Sequence, residues 1–410
     1  MIALIQFSVA NYRSIYTRKS ISFTGTSIKD EPRSNIIYFD KIRCARTTAV
    51  YGANSSGKSN LMLAMSTMVS MLFDSAKLND GDPLPYDPFV LSTSSQEEPT
   101  FLEAVFVING WKFRYGFEYK EDIIVSEWLY RATTKKSTEE ALFVRTNEGI
   151  GVNELTFKEG VGLEEKTNAN RLFLSLVAQV GGDEIISKEV LSFFRQFNVI
   201  SGILEYSYQD VTKKMFLSRA DLAETATQLF KTLKLGFGEI YARKEDRQDG
   251  KGNEIEIYTK HNVYTRTGRK KGHVFFNMDS MESAGTRKVF DLAGPIIDTL
   301  KHGKVLVVDE LDAKMHPLLS QYLVNLFNNP EKNVANAQLI FSTHNTHLLS
   351  SSMLRRDQIW FTEKDDKEET DVYSMMDILL PDGSKPRGDG NLEKNYMMGR
   401  YGAIPFILND

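Results

Sequence analysis

The stretch Gly52-Ala53-Asn54-Ser55-Ser56-Gly57-Lys58-Ser59 decides the fold, because it matches the P-loop pattern GxxxxGK[ST]. Residues 45–52, ARTTAVYG, lead into it as a β-rich run, and residues 60–73, NLMLAMSTMVSMLF, follow with the Leu and Met spacing of a helix. A glycine loop between a strand and a helix lets backbone N–H groups converge on phosphate oxygens. The sequence therefore predicts an α/β core that binds ATP.

Each chemical role in this loop needs its own residue type. Lys58 is expected to bridge the β- and γ-phosphates, and the Ser59 hydroxyl to hold Mg²⁺. The remaining candidate nucleotide-binding residues of the loop are Gly52, Asn54, Ser55, Ser56, Gly57 and Asn60. An ordinary glycine turn is the alternative interpretation, and the flanking strand and helix argue against it.

A second motif, VLVVDE at residues 305–310, is an apolar run that ends in two carboxylates. Such a run is typical of a strand buried on both faces of a parallel sheet, and ligands bind at the carboxyl ends of these strands. We expect Asp309 to hold the Mg²⁺ shell and Glu310 to be the general base that polarises the attacking water. Acidic residues at a strand end also serve as helix caps, but the P-loop favours the catalytic interpretation.

The remaining motifs indicate which class of P-loop protein this is. Asp309 lies 250 residues after Ser59, so large insertions separate the two halves of the core. A small-residue turn at a helix N-terminus, formed by Ser283, Ala284, Gly285 and Thr286, suits an anion, and Gly285 precedes Asp309 by 24 residues. In ABC-type ATPases this signature reaches the γ-phosphate held by the other subunit. A local N-cap is the alternative.

His344 follows Glu310 by 34 residues, where ABC-type heads place a switch histidine near the γ-phosphate. Its neighbour His347 lacks the additional His or Cys cluster that a metal pair would need. Asp312 is expected in the loop that communicates across the dimer. Two weaker candidates are Arg13, near the nucleotide, and Gln96, in the Mg²⁺-contacting loop.

Composition excludes several classes of protein. The 410 residues carry 50 Lys and Arg against 54 Asp and Glu, so the net charge of −4 gives no global attraction to nucleic acid or to an anionic membrane. Cys44 is the single cysteine, which excludes an internal disulfide and a cysteine-based zinc site. No signal peptide or membrane span is expected, so the predicted location is the cytoplasm.

The pattern along the chain predicts three parts. Residues 1–157 form the N-terminal half of the core with the P-loop and an antiparallel β lobe, which the period-two runs after residue 100 indicate. Residues 158–280 form an inserted helical lobe and a hairpin whose turn carries Arg266, Arg269, Lys270 and Lys271. Residues 281–410 return to the core. The basic turn is a candidate contact for nucleic acid or an acidic partner, although no aromatic stacking platform accompanies it in the sequence and a solvated turn is the simpler interpretation.

In order, the motifs GANSSGKSN, ESAGT, VVDELDAKMHP, FSTHNTHLLSS and YMMGRYGAIP resemble the SMC-like ATPases of bacterial defence. This is the OLD and abortive-infection group, which includes RloA, AbiL and the PARIS ATPase. FSVANYRSI and DPFVLS extend the likeness over nearly the whole chain. The resemblance implies an α/β, ABC-type head with an N-terminal β lobe and an inserted helical lobe that carries the signature.

The resemblance also implies a function. Such an ATPase senses infection, pairs or assembles through nucleotide, and controls a toxic effector, often a Toprim-type nuclease. Because about 60 residues follow His344, we expect the effector to be a separate protein, and a phage-derived trigger is a candidate partner. The alternatives are an SMC-like ATPase of DNA repair or chromosome maintenance, for which the basic turn is the support, and a non-hydrolytic nucleotide-gated scaffold.

Overall fold

The computed structural model describes residues 2–30, 32–136, 138–181, 185–201, 206–246, 253–380 and 383–405. Its strands are β1 Ile2–Ala10, β2 Lys19–Ser22, β3 Ile36–Phe39, β4 Ile42–Ala45, β5 Thr47–Tyr51, β6 Thr100–Ile108, β7 Trp111–Tyr119, β8 Ile124–Thr133, β9 Glu140–Thr146, β10 Gly149–Val152, β11 Phe197–Ile200, β12 Glu239–Asp246, β13 Asn253–Tyr264, β14 Lys270–Asn277, β15 Val305–Val308, β16 Gln338–Ser342, β17 Ile359–Lys364 and β18 Thr370–Ser374. Its α-helices are α1 Lys58–Asp74, α2 Phe173–Val180, α3 Ile186–Arg195, α4 Tyr206–Ser218, α5 Ala220–Thr232, α6 Met278–Met281, α7 Ala284–His302, α8 Pro317–Asn328 and α9 Leu392–Met397.

A six-stranded sheet forms the centre of the molecule, in the order β11-β15-β16-β5-β17-β18. The first five strands are parallel, and β18 pairs antiparallel to β17. Every residue of β5, β15 and β16 is buried, as expected for strands covered on both faces. The P-loop follows β5 and the two acidic residues follow β15, so both motifs reach the same edge of the sheet.

The two faces of this sheet contribute to separate cores because side chains alternate along a strand. Val50, Val305 and Ile340 point towards α1, α2, α3 and the N-terminal β lobe. Tyr51 and Leu306 point to the opposite face, where they pack with α8, α9 and the C-terminal residues. The motif loops are therefore held between two well-packed layers.

The N-terminal β lobe is a seven-stranded antiparallel sheet, in the order β10-β9-β8-β7-β6-β1-β2. Its inner face carries large buried aromatic side chains, including Phe106, Phe113, Tyr115 and Phe117. Phe106 stacks on Phe193 of α3 with ring centroids 4.2 Å apart. These contacts join the lobe and the central sheet into one core.

A third core lies between α4, α5, α7 and the three-stranded sheet β12-β13-β14. Ser283 caps α7, and its Oγ accepts the backbone N–H of Thr286 at 3.1 Å. The expected α/β class, with a P-loop core, an N-terminal antiparallel β lobe and a helical lobe, is thus confirmed. None of the helices in the described ranges is both long and apolar enough to cross a membrane.

One feature of the central sheet differs from the expected helical lobe. Residues 197–200 form β11, which pairs in parallel with β15, and the preceding helices α2 and α3 pack on the main core. Phe197-Asn198-Val199-Ile200 is too short for periodicity to separate it from the helices around it. The division of the chain at residues 157 and 280 stays a prediction.

Candidate functional site

The P-loop is folded around its own lysine. Lys58 Nζ donates hydrogen bonds to the carbonyl oxygens of Gly52, at 2.9 Å, and Ala53, at 2.8 Å. Its side chain is 5% exposed. Burial lowers the pKa of Lys58, and the carboxylates of Asp309 and Glu310 oppose this by favouring the ammonium form. The carbonyl contacts hold the lysine against the backbone of the loop.

Strands β17 and β18 brace the P-loop from the side. The hydroxyls of Ser56 and Thr362 share a hydrogen bond of 2.6 Å, and Thr370 Oγ1 donates to the carbonyl oxygen of Ser56 at 3.1 Å. Gly57 has φ 104°, and a Cβ there would overlap the Thr370 side chain. A Cβ at Gly52 would lie 2.5 Å from the Thr362 carbonyl oxygen. Close contact with these strands therefore requires both glycines.

The other expected P-loop residues fall into two groups. Asn54 and Ser55 are exposed and line a cavity over the P-loop. Ser59 is half-buried in the first turn of α1. Asn60 instead donates through Nδ2 to Ser14 Oγ at 2.7 Å. Ser14 in turn shares a 2.8 Å hydrogen bond with Thr370. Asn60 thus ties the loop helix to the N-terminal segment.

The acidic pair after β15 is held by a serine on the neighbouring strand. Asp309 is 2% exposed, and its Oδ1 accepts a 2.5 Å hydrogen bond from Ser342 Oγ. The same Oγ accepts the backbone N–H of Glu310 at 2.7 Å. Glu310 is exposed and has φ 53°, a left-handed conformation that costs energy for a residue other than glycine. The Ser342 hydroxyl therefore holds both the buried Asp309 carboxylate and the backbone turn at the exposed Glu310.

His344 and Asp312 come together beside this pair. The backbone N–H of His344 lies 3.3 Å from each carboxylate oxygen of Asp312. Partial burial lowers the pKa of His344, and the nearby charge of Lys58 lowers it further, although the surrounding carboxylates oppose the shift. The lowered pKa favours the neutral imidazole, in which one ring nitrogen can accept a hydrogen bond.

A cavity of about 820 Å³ opens over the P-loop. This volume is typical of sites for small ligands and cofactors. One end is formed by the P-loop with His344 and Thr346. The other end is formed by residues 392–405, which we call the C-terminal segment. The residues that line it are Gly52, Ala53, Asn54, Ser55, Ser56, His344, Thr346, Thr362, Glu363, Lys364, Tyr396, Met397, Ala403, Ile404 and Pro405.

The C-terminal segment is attached to the loop that carries His344. Glu393 of α9 accepts a 2.7 Å hydrogen bond from Thr346 Oγ1 and lies 3.2 Å from His347 Nδ1. Tyr396 packs edge-on against Tyr51 at 5.7 Å. The wall of the cavity and the loop that carries His344 are therefore directly connected.

The signature residues do not line this cavity. Ser283 and Ala284 are exposed at the start of α7. A Cβ at Gly285 would lie 2.8 Å from the carbonyl oxygen of Lys314, so the helix start packs closely on the loop that follows Asp312. Within one chain, the structure brings the P-loop, Asp309, Glu310 and the His344 loop together, and the signature residues lie outside the cavity over the P-loop.

The two weaker candidates also lie outside the cavity over the P-loop. Arg13 Nη2 forms a 3.0 Å ion pair with Asp87 and lines a separate cavity of about 660 Å³ that also includes Asn60. Gln96 is exposed, and its Nε2 donates to the carbonyl oxygen of Val90 at 3.3 Å. Both contacts hold the loop between α1 and β6.

These features give the chain the fold of a P-loop head of the ABC type. The chain belongs to the family described as "AAA domain, putative AbiEii toxin, Type IV TA system", whose model matches residues 47–350. That span begins with β5 and includes the P-loop, the signature, the acidic pair and His344. No curated protein matches the chain.

Solved structures of ATPase heads are similar to the chain at low sequence identity. The SMC head domain from Thermotoga maritima is 13% identical with a TM-score of 0.42, covering 90% of this chain and 98% of that one. The SMC head bound to the C-terminal winged-helix domain of ScpA is 16% identical with a TM-score of 0.41, covering 90% and 97%. The recombination mediator RecF is 10% identical with a TM-score of 0.39, covering 91% and 98%.

Sequence reasoning missed several residues that shape the site. Ser342 was hidden in the apolar run AQLIFSTH, although a hydroxyl at the end of a buried strand could have been noticed. Thr362 and Thr370 gave no local signal, because they reach the P-loop only through pairing in the sheet. Met397 and Pro405 of the C-terminal segment belonged to a motif that was recognised, but no role was predicted for it.

Proposed function

We propose that the chain binds MgATP in the cavity over the P-loop and hydrolyses it. The observation that carries this proposal is the convergence of Lys58, Asp309, Glu310 and His344 at one edge of the sheet. Lys58 would neutralise the phosphates, and the exposed carboxylate of Glu310 would accept a proton from the attacking water. Neutral His344 would accept a hydrogen bond from that water or sense the γ-phosphate.

The residues present fit a magnesium ion. Asp309 has one oxygen held by Ser342, while its Oδ2 accepts no hydrogen bond from any described residue. A carboxylate oxygen and the Ser59 hydroxyl are the hard ligands that Mg²⁺ takes alongside phosphate oxygens. The ion would neutralise charge on the transferred phosphoryl group, and this chain would supply its ligands and the base.

We further propose that two chains pair through nucleotide. In the signature, Ser283 and Ala284 are exposed, and none of its four residues lines the cavity of its own chain. The N-terminus of the 19-residue helix α7, where Ser283 Oγ accepts the Thr286 N–H, presents a positive dipole end to an anion. The γ-phosphate bound by a second copy is the ligand that this position suits.

The experiment is ATP turnover together with molar mass in solution, with and without ATP. Glu310→Gln keeps the shape of the side chain and removes the base, so turnover should fall at least about 100-fold while ATP stabilises the assembly. Glu331→Gln, on an exposed loop, is the matched control and should behave as the wild type. Unchanged turnover and mass in Glu310→Gln would refute the site assignment.

For the biological role, we propose a regulatory or sensor ATPase of a cytoplasmic anti-phage system of the OLD and abortive-infection type. The family description, which names a toxin of a type IV toxin–antitoxin system, supports a role in restricting growth. The head would hold or release a separately encoded effector. The resemblance to the defence ATPases suggests that this effector is a Toprim-type nuclease. Co-purification of such a partner whose release depends on ATP and on Glu310 is the expected result.

A second candidate function is an ATPase that acts on DNA in repair or chromosome maintenance. The observation that favours it is the exposed basic turn between β13 and β14. Tight binding to duplex DNA with a steep salt dependence, lost when the turn is neutralised, would place this function first.

A further inference from the structure

The sheet β12-β13-β14 has one buried and one solvent-exposed face. Ile257 on β13 is 1% exposed and packs into the core formed with α4, α5 and α7. Since side chains alternate along a strand, Tyr258 and Lys260 point to the opposite face. The strands of this sheet thus present a surface whose residues do not line the cavity over the P-loop.

Three aromatic rings lie on the exposed face. The strand pairing places Tyr241 opposite Tyr258, and Lys260 opposite Phe275. Tyr241 is 41% exposed and Phe275 is 45% exposed, and their rings meet edge-on at 5.2 Å. His273 contacts the Phe275 ring at 5.3 Å. Successive residue pairs along such a face are about 7 Å apart, so the rings form a short stepped platform.

The β13–β14 turn adds positive charge at one end of the platform. Arg266, Arg269, Lys270 and Lys271 are all exposed, and none forms an ion pair with a described residue. The turn is well formed, because Thr265 exchanges backbone hydrogen bonds with Arg269 and Gly268. Four unpaired cations on a defined turn suit a ligand that carries a series of negative charges.

The other end of the platform is acidic. Glu256 lies opposite Arg243, and Glu254 lies opposite Glu245. Glu239 lies opposite Lys260, one pair nearer the turn than Tyr241, and accepts hydrogen bonds from Lys260 Nζ and from the Tyr241 hydroxyl. A polyanion is therefore attracted at the turn and repelled from Tyr241 onwards, so this face accommodates only a short stretch of it. The distribution of charge therefore favours a short anionic segment next to the turn.

We infer that this face, which we call the aromatic face, binds a single strand of nucleic acid over two or three nucleotides. The phosphates would contact the cations of the turn, and the bases would stack on Phe275 and Tyr241. Aromatic rings combined with a basic patch bind single strands without strong sequence preference, because every base has a stacking surface. A duplex keeps its bases stacked on each other and cannot use these rings. The inference is independent of ATP hydrolysis.

The test is fluorescence anisotropy of the full chain with labelled oligo-dT, oligo-U and a duplex of equal length. Both single strands should bind more tightly than the duplex, and their ratio shows whether DNA or RNA is preferred. About three phosphate contacts on a single strand predict a slope of log K against log salt of about −2. Arg266→Ala with Arg269→Ala should reduce that slope by about 1.4.

Ring substitutions separate stacking from general apolar contact. Tyr241→Leu and Phe275→Leu keep apolar surface but remove the stacking rings, and each should weaken single-strand binding about tenfold. The controls are Tyr38→Ala, an aromatic side chain 63% exposed elsewhere, and Lys135→Ala with Lys136→Ala, an exposed basic turn after β8. Melting temperatures report whether each variant is folded.

Three outcomes would overturn the inference. They are no binding to either single strand, equal affinity for single strand and duplex, and affinity that is unchanged in the leucine variants. If the leucine variants bind single strands as tightly as the wild type, and a protein partner binds the wild type but not the variant with a neutralised turn, the face is a protein-docking surface. ATP turnover of the same variants is expected at the wild-type level, so a failure here is distinct from a failure of the ATPase proposal.

Discussion

The hydroxyl of Ser342 donates a 2.5 Å hydrogen bond to Asp309 and accepts the backbone N–H of Glu310. Ser342→Ala leaves a buried carboxylate and a backbone N–H without this partner, so we expect a loss of about 1–3 kcal/mol of stability. Turnover should fall about tenfold or more, because the base and the metal ligand lose their common anchor. ATPase assays across a Mg²⁺ titration, with calorimetry, measure both effects.

Ser352→Ala, in an exposed turn, is the matched control. If Ser342→Ala lowers the melting temperature but leaves turnover and the Mg²⁺ dependence unchanged, the hydroxyl is only structural.

The sequence predicted the parts of the site that are contiguous in the chain. Residues 52–59 and 305–310 carry their chemistry and their flanking strands in one short run, so local pattern was enough. The paired antiparallel strands after residue 100 were predictable for the same reason, because alternation is a local signal.

Contacts between distant segments could not be predicted. Thr370 reaches the P-loop 314 residues away from Ser56 in sequence, and no local pattern records that approach. The aromatic face was missed for a related reason: Tyr241 and Phe275 become neighbours only when β12 and β14 pair with β13. Both depend on the register of the sheets, which a single sequence specifies weakly.

Thr370→Val tests whether the contact between β18 and the P-loop supports nucleotide binding. The substitution keeps the size of the side chain but removes the hydrogen bonds to Ser14 and to the carbonyl oxygen of Ser56. We expect ATP affinity to fall about three- to tenfold, on the scale of one lost hydrogen bond, with a smaller change in kcat. Nucleotide binding by calorimetry and steady-state turnover separate the two.

Thr225→Val, on the exposed surface of α5, is the matched control for that experiment. An unchanged ATP affinity in Thr370→Val would show that the loop keeps its shape without β18.

Mixing two inactive variants tests whether the signature acts across a dimer. Lys58→Ala disables the P-loop and leaves the signature intact, whereas Ser283→Arg does the reverse. In a statistical mixture half of the dimers are mixed, and each mixed dimer has one intact site of two, so turnover should recover to about a quarter of the wild-type value. Assays of the two variants alone and mixed, after subunit exchange, measure this.

Recovery requires that each variant alone is inactive and still assembles, which molar mass in solution establishes. A mixture that stays inactive, although mixed dimers are present, would mean that the signature serves its own chain.

The last prediction concerns pH and Asp291, a half-buried carboxyl on α7. Burial raises the pKa of Asp291 to about 7, and the nearby charge of Asp279 adds to this, while Lys213 and Lys288 oppose it. Because the folded carboxyl binds its proton more tightly than the unfolded one, stability should fall as pH rises from about 4 to about 7 and then level off. Asp291→Asn cannot ionise, so it should lack this decline and be about 1–3 kcal/mol more stable than the wild type at pH 8. At pH 4 the two proteins should differ little, because the wild-type carboxyl is protonated there.

Thermal unfolding of both at pH 4, 6 and 8, beside the exposed control Asp366→Asn, measures the effect. A constant difference between Asp291→Asn and the wild type at all three pH values would show that the carboxyl does not titrate in this range.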